Sequence, residues 1–275
     1  MPRPWSPVRA LRIKHLGLLP RWPPPTTSRS DMKALVILSG GQDSTTCLAL
    51  AVRKHGPQNV AAMTFDYGQR HAVEIEAATR IAALAKIASH EVILVRGILR
   101  GTSPLVSADT PVTTYASSEA LPGGLEKTFV PMRNSLFLVL AANRAVVMFP
   151  GEHNVELYAG VGQEDYGGYP DCREAFIVQM AGTINRSLDD PSLPMIGILT
   201  PLMHLSKAQT VLLSESLPGC REMLAWSHTC YNGAVPPCGE CHACLLRQKG
   251  YGEAGVTDPL IERLRFFEIS RDHLA

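Results

Sequence analysis

The chain lacks any run of eighteen consecutive apolar residues, so no segment is predicted to cross a membrane as a helix. A dominant charge is also absent, because 26 Lys and Arg and 25 Asp and Glu give a net charge of +1. A disulfide framework is not indicated, because the seven cysteines are an odd number and four of them cluster near the C terminus. These features predict a cytoplasmic protein with reduced cysteines and no membrane partner.

The first 31 residues differ in composition from the rest. They hold six Lys or Arg, one acidic residue and seven prolines, so residues 1–31 are predicted to be disordered. They lack the apolar centre of a secretory signal; an organelle transit peptide stays open, but we hypothesise that the natural chain begins at Met32. The remaining body has 20 basic and 24 acidic residues, and this acidic balance argues against direct nucleic-acid binding.

Apolar runs rich in β-branched residues alternate with amphipathic segments along the body of the chain. This alternation predicts a Rossmann-like α/β fold, with a parallel sheet and helices on both faces. The loop 97–127 is long enough to suggest a functional role. The predicted strands are 33–38, 59–65, 91–95, 155–161 and 195–199, and the predicted helices are 43–55, 71–88, 134–147, 172–185, 207–214 and 256–270.

A glycine-rich loop follows the first predicted strand. Its sequence from Ser39 to Ser44 is Ser-Gly-Gly-Gln-Asp-Ser, and a helix is predicted directly after it. Glycines let the backbone approach a ligand closely, and hydroxyls with the N–H groups of a helix start bind phosphate. No Gly-Lys-Ser/Thr follows, so this is not the ATPase P-loop. The alternative is a tight turn in which Asp43 and Ser44 cap the helix.

Four of the cysteines have metal-ligand spacing: Cys230, Cys238, Cys241 and Cys244. Two consecutive gaps of two residues let a knuckle wrap one tetrahedral Zn²⁺ ion, and an iron–sulfur cluster is the competing interpretation. Four thiolates leave no open position, so the site is predicted to be structural.

Several segments together resemble the 7-cyano-7-deazaguanine synthase family of the ATP pyrophosphatase superfamily, and the resemblance covers about residues 33–250. They are Ser39–Cys47, Phe65–His71, Phe129–Asn134, Gly168–Arg173, Thr200–Met203 with Lys207, and Cys230–Arg247. The resemblance implies an adenine nucleotide alpha hydrolase-like domain at 32–226 and a zinc knuckle with a C-terminal helix at 227–275. It also implies a homodimer that converts 7-carboxy-7-deazaguanine, ammonia and ATP to the nitrile preQ0, with zinc in the four-Cys site.

The resemblance also implies roles for individual residues. Asp43 is expected to hold Mg²⁺, and the expected catalytic cations are Arg133, Lys207 and Arg247. The expected ATP-binding residues are Leu38, Ser39, Gly40, Gly41, Gln42, Asp43, Ser44, Thr45, Thr46, Cys47 and Leu48. The expected substrate-binding residues are Asp66, Tyr67, Gln69, Arg70, His71, Glu164, Asp165, Tyr166 and Asp171.

Two other functions stay open at this point. The first is a tRNA-thiolating enzyme of the same superfamily, which would need a basic surface and a cysteine that carries sulfur. The second is a zinc-knuckle protein that binds a nucleotide without turning it over. Release of pyrophosphate that depends on a deazapurine carboxylate would separate these two functions from the synthase.

Overall fold

The computed structural model describes residues 32–69, 73–101, 103–107, 109–122, 124–162 and 169–272. Within these ranges the chain forms five strands and eight α-helices. The strands are β1 (Lys33–Ile37), β2 (Val60–Asp66), β3 (Ser89–Leu94), β4 (Asn154–Ala159) and β5 (Met195–Leu199). The helices are α1 (Gln42–His55), α2 (Val73–Ala85), α3 (Arg133–Met148), α4 (Glu174–Ser187), α5 (Lys207–Glu215), α6 (Cys220–Leu224), α7 (His242–Ala254) and α8 (Pro259–Asp272).

The five strands form one parallel sheet in the order β3-β2-β1-β4-β5. The strand order reverses between β1 and β4, where Ile37 pairs with Ala159. Parallel sheets of this kind bind ligands beyond the carboxyl ends of the strands at such a switch point. The predicted Rossmann-like α/β fold is confirmed, and its binding crevice is expected just after these two residues.

Alternate residues of the strands supply two separate cores, because successive side chains of a strand point to opposite faces. Ala34 and Val36 of β1 pack in one core with helices α1, α2 and α6. Leu35 packs in the other core, with residues of α3 and α4. Helices therefore cover both faces of the sheet, as predicted, and the central strands are buried on both sides.

The C-terminal part of the chain contains the main departure from the predicted elements. Strand β5 has the predicted bounds, whereas α6 and α7 were not predicted at all. Helix α7 contains Gly250 and Gly252, both poor helix formers, and it buries polar residues such as His242 and Arg247. It therefore has no apolar stripe to reveal it in the sequence. Helix α7 lies after the predicted domain boundary at residue 226 and packs against α5, which lies before it. The domain boundary stays a prediction.

The described part of the chain contains no helix that is both long and apolar enough to cross a membrane. The predicted disordered segment, residues 1–31, lies outside the described residues.

A buried carboxylate joins β4 to the end of α1. Glu156 accepts hydrogen bonds from Lys54 at 2.5 Å and from Tyr158 at 2.9 Å, and the Nε2 atom of His55 lies 2.8 Å from it. Burial alone would raise the pKa of Glu156, but the hydrogen bonds with His55 and Lys54 outweigh burial and lower it to about 2. Because the folded-state pKa lies below the ordinary value of 4.5, ionised Glu156 stabilises the fold.

We predict that Glu156→Gln lowers the free energy of unfolding by about 1–3 kcal/mol at pH 7. The stabilisation is complete above the unfolded-state pKa and is lost as the pH falls towards the folded-state pKa, so the difference from wild type should narrow between pH 5 and pH 3. Urea unfolding at pH 7, 5 and 3 measures it. Glu76→Gln, on the exposed side of α2, is the control and should change stability by less than about 0.5 kcal/mol. An equal loss of unfolding free energy at pH 7, 5 and 3 would contradict the prediction.

Candidate active site

The loop between β1 and α1 is held in shape by its own hydroxyls. The backbone N–H of Ser39 donates to Oγ of Ser44 at 3.1 Å, and that of Gly41 donates to Oγ of Ser39 at 3.3 Å. Gly41 is the N-cap residue of α1, and no side chain caps this helix. The alternative in which Asp43 and Ser44 act only as caps is therefore not what the structure contains. The positive end of α1 points into the crevice, where it favours an anion.

Two glycines allow the backbone to come together at this point. Gly40 has a φ of +84°, and a Cβ built on it would lie 2.9 Å from the backbone N of Ala78. Gly160, directly after β4, would place a Cβ 2.8 Å from the backbone N of Ser44. Neither position can take a side chain, since the colliding atoms belong to the main chain. The main chain at the switch point is therefore in close contact with α1 and α2.

Lys207 and Asp43 meet at the mouth of this loop. The Nζ atom of Lys207 donates to both carboxylate oxygens of Asp43 at 2.9 Å, and both side chains are largely buried. Lys207 is the first residue of α5, and its position is fixed by a capping box formed by Ser206 and Gln209. The structure therefore joins two predicted catalytic residues that are 164 positions apart.

A cavity lies beyond the carboxyl ends of β1, β2 and β4, and most of the predicted catalytic and loop residues line it. One wall is aromatic, with the rings of Phe65 and Phe137 stacked at 4.2 Å and Tyr67 against Phe137 at 5.5 Å. The predicted residues that line the cavity are Leu38, Ser39, Gly41, Gln42, Asp43, Ser44, Tyr67, Gln69, Arg133, Lys207 and Arg247. Such a cavity has polar groups at one end and flat apolar surface at the other, which suits a nucleotide or a purine-like ring.

The second half of the predicted ATP-binding segment lies deeper than its first half. Thr45 and Thr46 are buried, and their hydroxyls donate to the carbonyls of Gly41 and Gln42 inside α1. Cys47 and Leu48 belong to the core beneath the sheet. These four residues do not line the cavity, so they can support the loop but do not reach a ligand as the helix stands.

Arg247 lines the cavity, but its charge is already paired. Its Nε and Nη2 atoms donate to the carboxylate of Asp258 at 2.6 and 2.8 Å, and its Nη1 atom donates to Ser227 at 2.9 Å. It is 4% exposed. The guanidinium thus fastens the start of α8 to the rest of the chain. A catalytic role for Arg247 stays a prediction.

Asp66 and Asp171 do not line the cavity with the other predicted residues. Asp66 accepts a bidentate ion pair from Arg96, with Nε at 2.8 Å and Nη2 at 2.6 Å, and this hydrogen bonding lowers its pKa. Burial raises the pKa of Asp171, whose carbonyl accepts from Asn134 at 3.1 Å. Of the remaining predicted substrate residues, five lie outside the described residues: Arg70, His71, Glu164, Asp165 and Tyr166.

Several cavity residues were not singled out from the sequence. Glu74, in the first turn of α2, lines the cavity, and burial raises its pKa to about 8. Tyr169 is almost fully buried at the cavity wall and lies against Phe129 at 5.2 Å. The motif Gly-Tyr-Pro-Asp-Cys-Arg contains Tyr169 and could have indicated it, whereas nothing local distinguishes Glu74 from the other acids of its helix.

The four cysteines of the knuckle converge on one point. Their Sγ atoms all lie within 4.8 Å of one another, and those of Cys238 and Cys244 are 3.9 Å apart. Thiolates at about 2.3 Å around a tetrahedral ion lie about 3.8 Å apart, so the set fits a bound metal ion. His242 is not part of the set, because its Nδ1 atom lies 3.1 Å from the buried carboxylate of Glu126. The predicted ligand residues therefore come together as expected, and no fifth ligand joins them from the described part of the chain.

The long loop 97–127 connects this knuckle to the cavity. Its residue Thr114 forms a β-bridge with Cys241, and Glu126 accepts hydrogen bonds from Tyr115 and Thr128, each at 2.7 Å. The hydroxyls of Thr128 and Tyr169 lie 2.7 Å apart. One chain of hydrogen bonds thus extends from the knuckle to the cavity wall.

Several known proteins are similar to this chain. Residues 33–255 match the family described as queuosine biosynthesis protein QueC. The chain belongs to this family. A 7-cyano-7-deazaguanine synthase from Gloeobacter violaceus is 50% identical over 230 residues, which cover 83% of this chain and 95% of that protein. One from Chromobacterium violaceum is 48% identical over 235 residues, which cover 85% of this chain and 95% of that protein. The NMN synthetase structure from Francisella tularensis aligns with a TM-score of 0.38 and 13% identity, covering 89% of this chain and 86% of that one.

We predict that Cys241→Ser lowers the metal content and the melting temperature together. Removing one of four thiolates destroys the tetrahedral set, and metal binding contributes to folding. Metal analysis of the purified protein and thermal unfolding measure the two effects. Cys220→Ser is the matched control, because Cys220 is equally buried but lies outside the cluster. It should keep the full metal content even if the melting temperature falls. Full metal retention in Cys241→Ser would exclude the four-ligand site.

Proposed function

We propose that this protein is a 7-cyano-7-deazaguanine synthase, a C–N ligase that converts 7-carboxy-7-deazaguanine and ammonia to the nitrile preQ0 with consumption of ATP. The observation that carries the proposal is the Asp43–Lys207 pair beside the loop Ser39–Ser44, at the switch point of a chain in the QueC family. The proposal is supported by the groups suited to phosphate that the pair and the loop supply at one end of a cavity whose other end is aromatic.

The chemistry requires activation of a carboxylate, because oxide is a poor leaving group. In the proposed first step the carboxylate oxygen attacks the α-phosphorus of ATP, which gives an acyl-adenylate and releases pyrophosphate. Ammonia then displaces AMP and forms the amide. The amide oxygen then attacks the α-phosphorus of a second ATP and releases a second pyrophosphate, and loss of AMP with two protons from the nitrogen leaves the nitrile. Each product therefore consumes two ATP, and the enzyme acts mainly by positioning the reactants and neutralising charge.

The proposed roles follow from where the side chains lie. The backbone of Gly41 and the hydroxyls of Ser39 and Ser44 would bind pyrophosphate at the positive end of α1. Lys207 and Arg133 would stabilise the negative charge that develops on the phosphates. Arg247, whose three nitrogens already bond Asp258 and Ser227, suits a positioning role better than contact with phosphate.

Asp43 is the proposed ligand of Mg²⁺. A single carboxylate combined with phosphate oxygens is a common way for proteins to bind this ion, so the residue fits the role. Bound there, Mg²⁺ would neutralise phosphate charge. Asp43 and Lys207 neutralise each other in the structure. We propose that they separate when Mg-ATP binds, with Asp43 facing the metal ion and Lys207 facing the phosphates.

The remaining assignments are supported more by the family than by geometry. We propose zinc for the four-Cys site, with a structural role, since no ligand position is left open. We also propose a cytoplasmic protein, because cysteines without disulfides suit a reducing compartment. The family resemblance supports a homodimer, and ammonia is the proposed nitrogen donor. Light scattering of the purified protein would test the dimer.

The test of the reaction is a single incubation of the metal-loaded protein with Mg-ATP, ammonium and 7-carboxy-7-deazaguanine, read by mass spectrometry. The expected products are the nitrile, AMP and pyrophosphate, with two AMP for each nitrile. Formation of AMP without change in the deazapurine would support cleavage of ATP to AMP and would exclude 7-carboxy-7-deazaguanine as the substrate. Absence of AMP from folded protein would favour the non-catalytic binding protein.

We predict that Asp43→Asn lowers turnover at least about 100-fold, because loss of one preorganised charge at a phosphoryl centre has effects of this order. The substitution keeps the shape of the side chain, so the protein should still fold, but it removes the charge that Lys207 pairs with, so the melting temperature should fall. Steady-state kinetics over a range of Mg²⁺ concentrations measure the effect. Asp189→Asn, a remote substitution at a side chain that is 75% exposed, is the control and should leave turnover unchanged. Near-normal turnover in Asp43→Asn would refute the Mg²⁺ role.

A further inference from the structure

Helix α7 contains a buried glycine at a position where a glycine is costly. A glycine inside a helix is about 1 kcal/mol less favourable than alanine, so Gly250 needs a reason in the packing around it. A Cβ built on Gly250 would lie 2.9 Å from Cβ of Lys207, closer still to Cγ, and 3.2 Å from its carbonyl carbon. The aliphatic stem of Lys207 therefore crosses α7 through the space that a side chain at 250 would fill.

Lys207 cannot easily move out of the way. Its backbone is held at the start of α5 by the Ser206 capping box, and its Nζ atom is held by Asp43. The atoms that would collide belong to the base of the side chain and to the main chain, and not to its flexible tip. An added methyl group would have to displace α5 or turn Lys207 away from Asp43.

We infer that Gly250 is a positioning residue for the proposed reaction: it leaves the space through which the stem of Lys207 passes along α7 to Asp43. This inference rests on the role of Lys207 under Proposed function. Helix α7 starts from the metal knuckle, with Cys241 as its N-cap and Cys244 in its first turn. Gly250 follows eight residues after the helix start, about 12 Å along its axis. The knuckle thus holds one end of a rigid helix whose other end supports the catalytic lysine.

The chain offers a matched pair of substitutions. Gly250→Ala and Gly252→Ala are the same change in the same helix, two residues apart. A Cβ at Gly252 would meet nothing within 4 Å, and this residue is exposed. Both changes gain the same helix propensity. Gly252→Ala should keep turnover within about twofold, whereas Gly250→Ala should lower it about tenfold or more, since small misplacements of catalytic groups have effects of this size. Metal content should be unchanged in both.

A merely structural effect of Gly250→Ala is separated by combining it with Lys207→Met. If Gly250 acts through Lys207, Gly250→Ala should cause no further loss of turnover or of Mg-ATP affinity in the Lys207→Met background. An additional loss as large as that in wild type would overturn the inference, and so would full activity of folded Gly250→Ala. If Lys207→Met itself retains full turnover, the proposed catalytic role of Lys207 is rejected. That outcome is distinct from one in which only the role of Gly250 is rejected.

A third variant covers the case in which Gly250→Ala fails to fold. Lys207→Ala removes Cγ, the atom nearest to the added methyl group. The double variant Lys207→Ala/Gly250→Ala should therefore recover part of the melting temperature lost in Gly250→Ala. No recovery would show that Cγ of Lys207 is not the atom that excludes the methyl group and would overturn the inference.

Discussion

The ion pair between Lys207 and Asp43 is the contact on which the arrangement of the site depends. It joins the start of α1 to the start of α5, at the point where the strand order of the parallel sheet reverses. A buried ion pair is weak evidence for stability, because desolvation offsets much of the attraction between the charges. Its presence at the mouth of a phosphate-type loop is better explained by function. Close approach of the main chain at Gly160 and of the lysine stem at Gly250 makes the pair possible.

The C-terminal third of the chain packs against the elements that carry this ion pair. The four-Cys cluster includes the N-cap of α7, α7 packs along α5, and the Arg247–Asp258 ion pair fastens the start of α8. The loop 97–127 adds a second connection, from the knuckle through Glu126 and Thr128 to Tyr169. The cluster is therefore connected to the groups that surround the Asp43–Lys207 pair.

Much of the fold could be predicted because each segment carries its own signal. The apolar, β-branched run of β1 and the glycines after it are local properties, and β5 was located to the residue. The helix α7 was not predicted, because its buried face includes the polar residues His242 and Arg247. Such residues are stable inside only when partners pair with them. Glu126, which lies beside His242, and Ser227, which accepts from Arg247, come from other parts of the chain.

The sequence by itself determined the phosphate-type loop, the four metal-ligand cysteines and the family, because these depend on residue types at short, fixed spacing. The tertiary structure decided which ionic partner each of these charges has. Lys207 reaches Asp43, whereas Arg247 and Asp66 are held by Asp258 and Arg96. An ionic partner is chosen by distance in space, and the sequence separation of 164 residues between Lys207 and Asp43 carries no information about it.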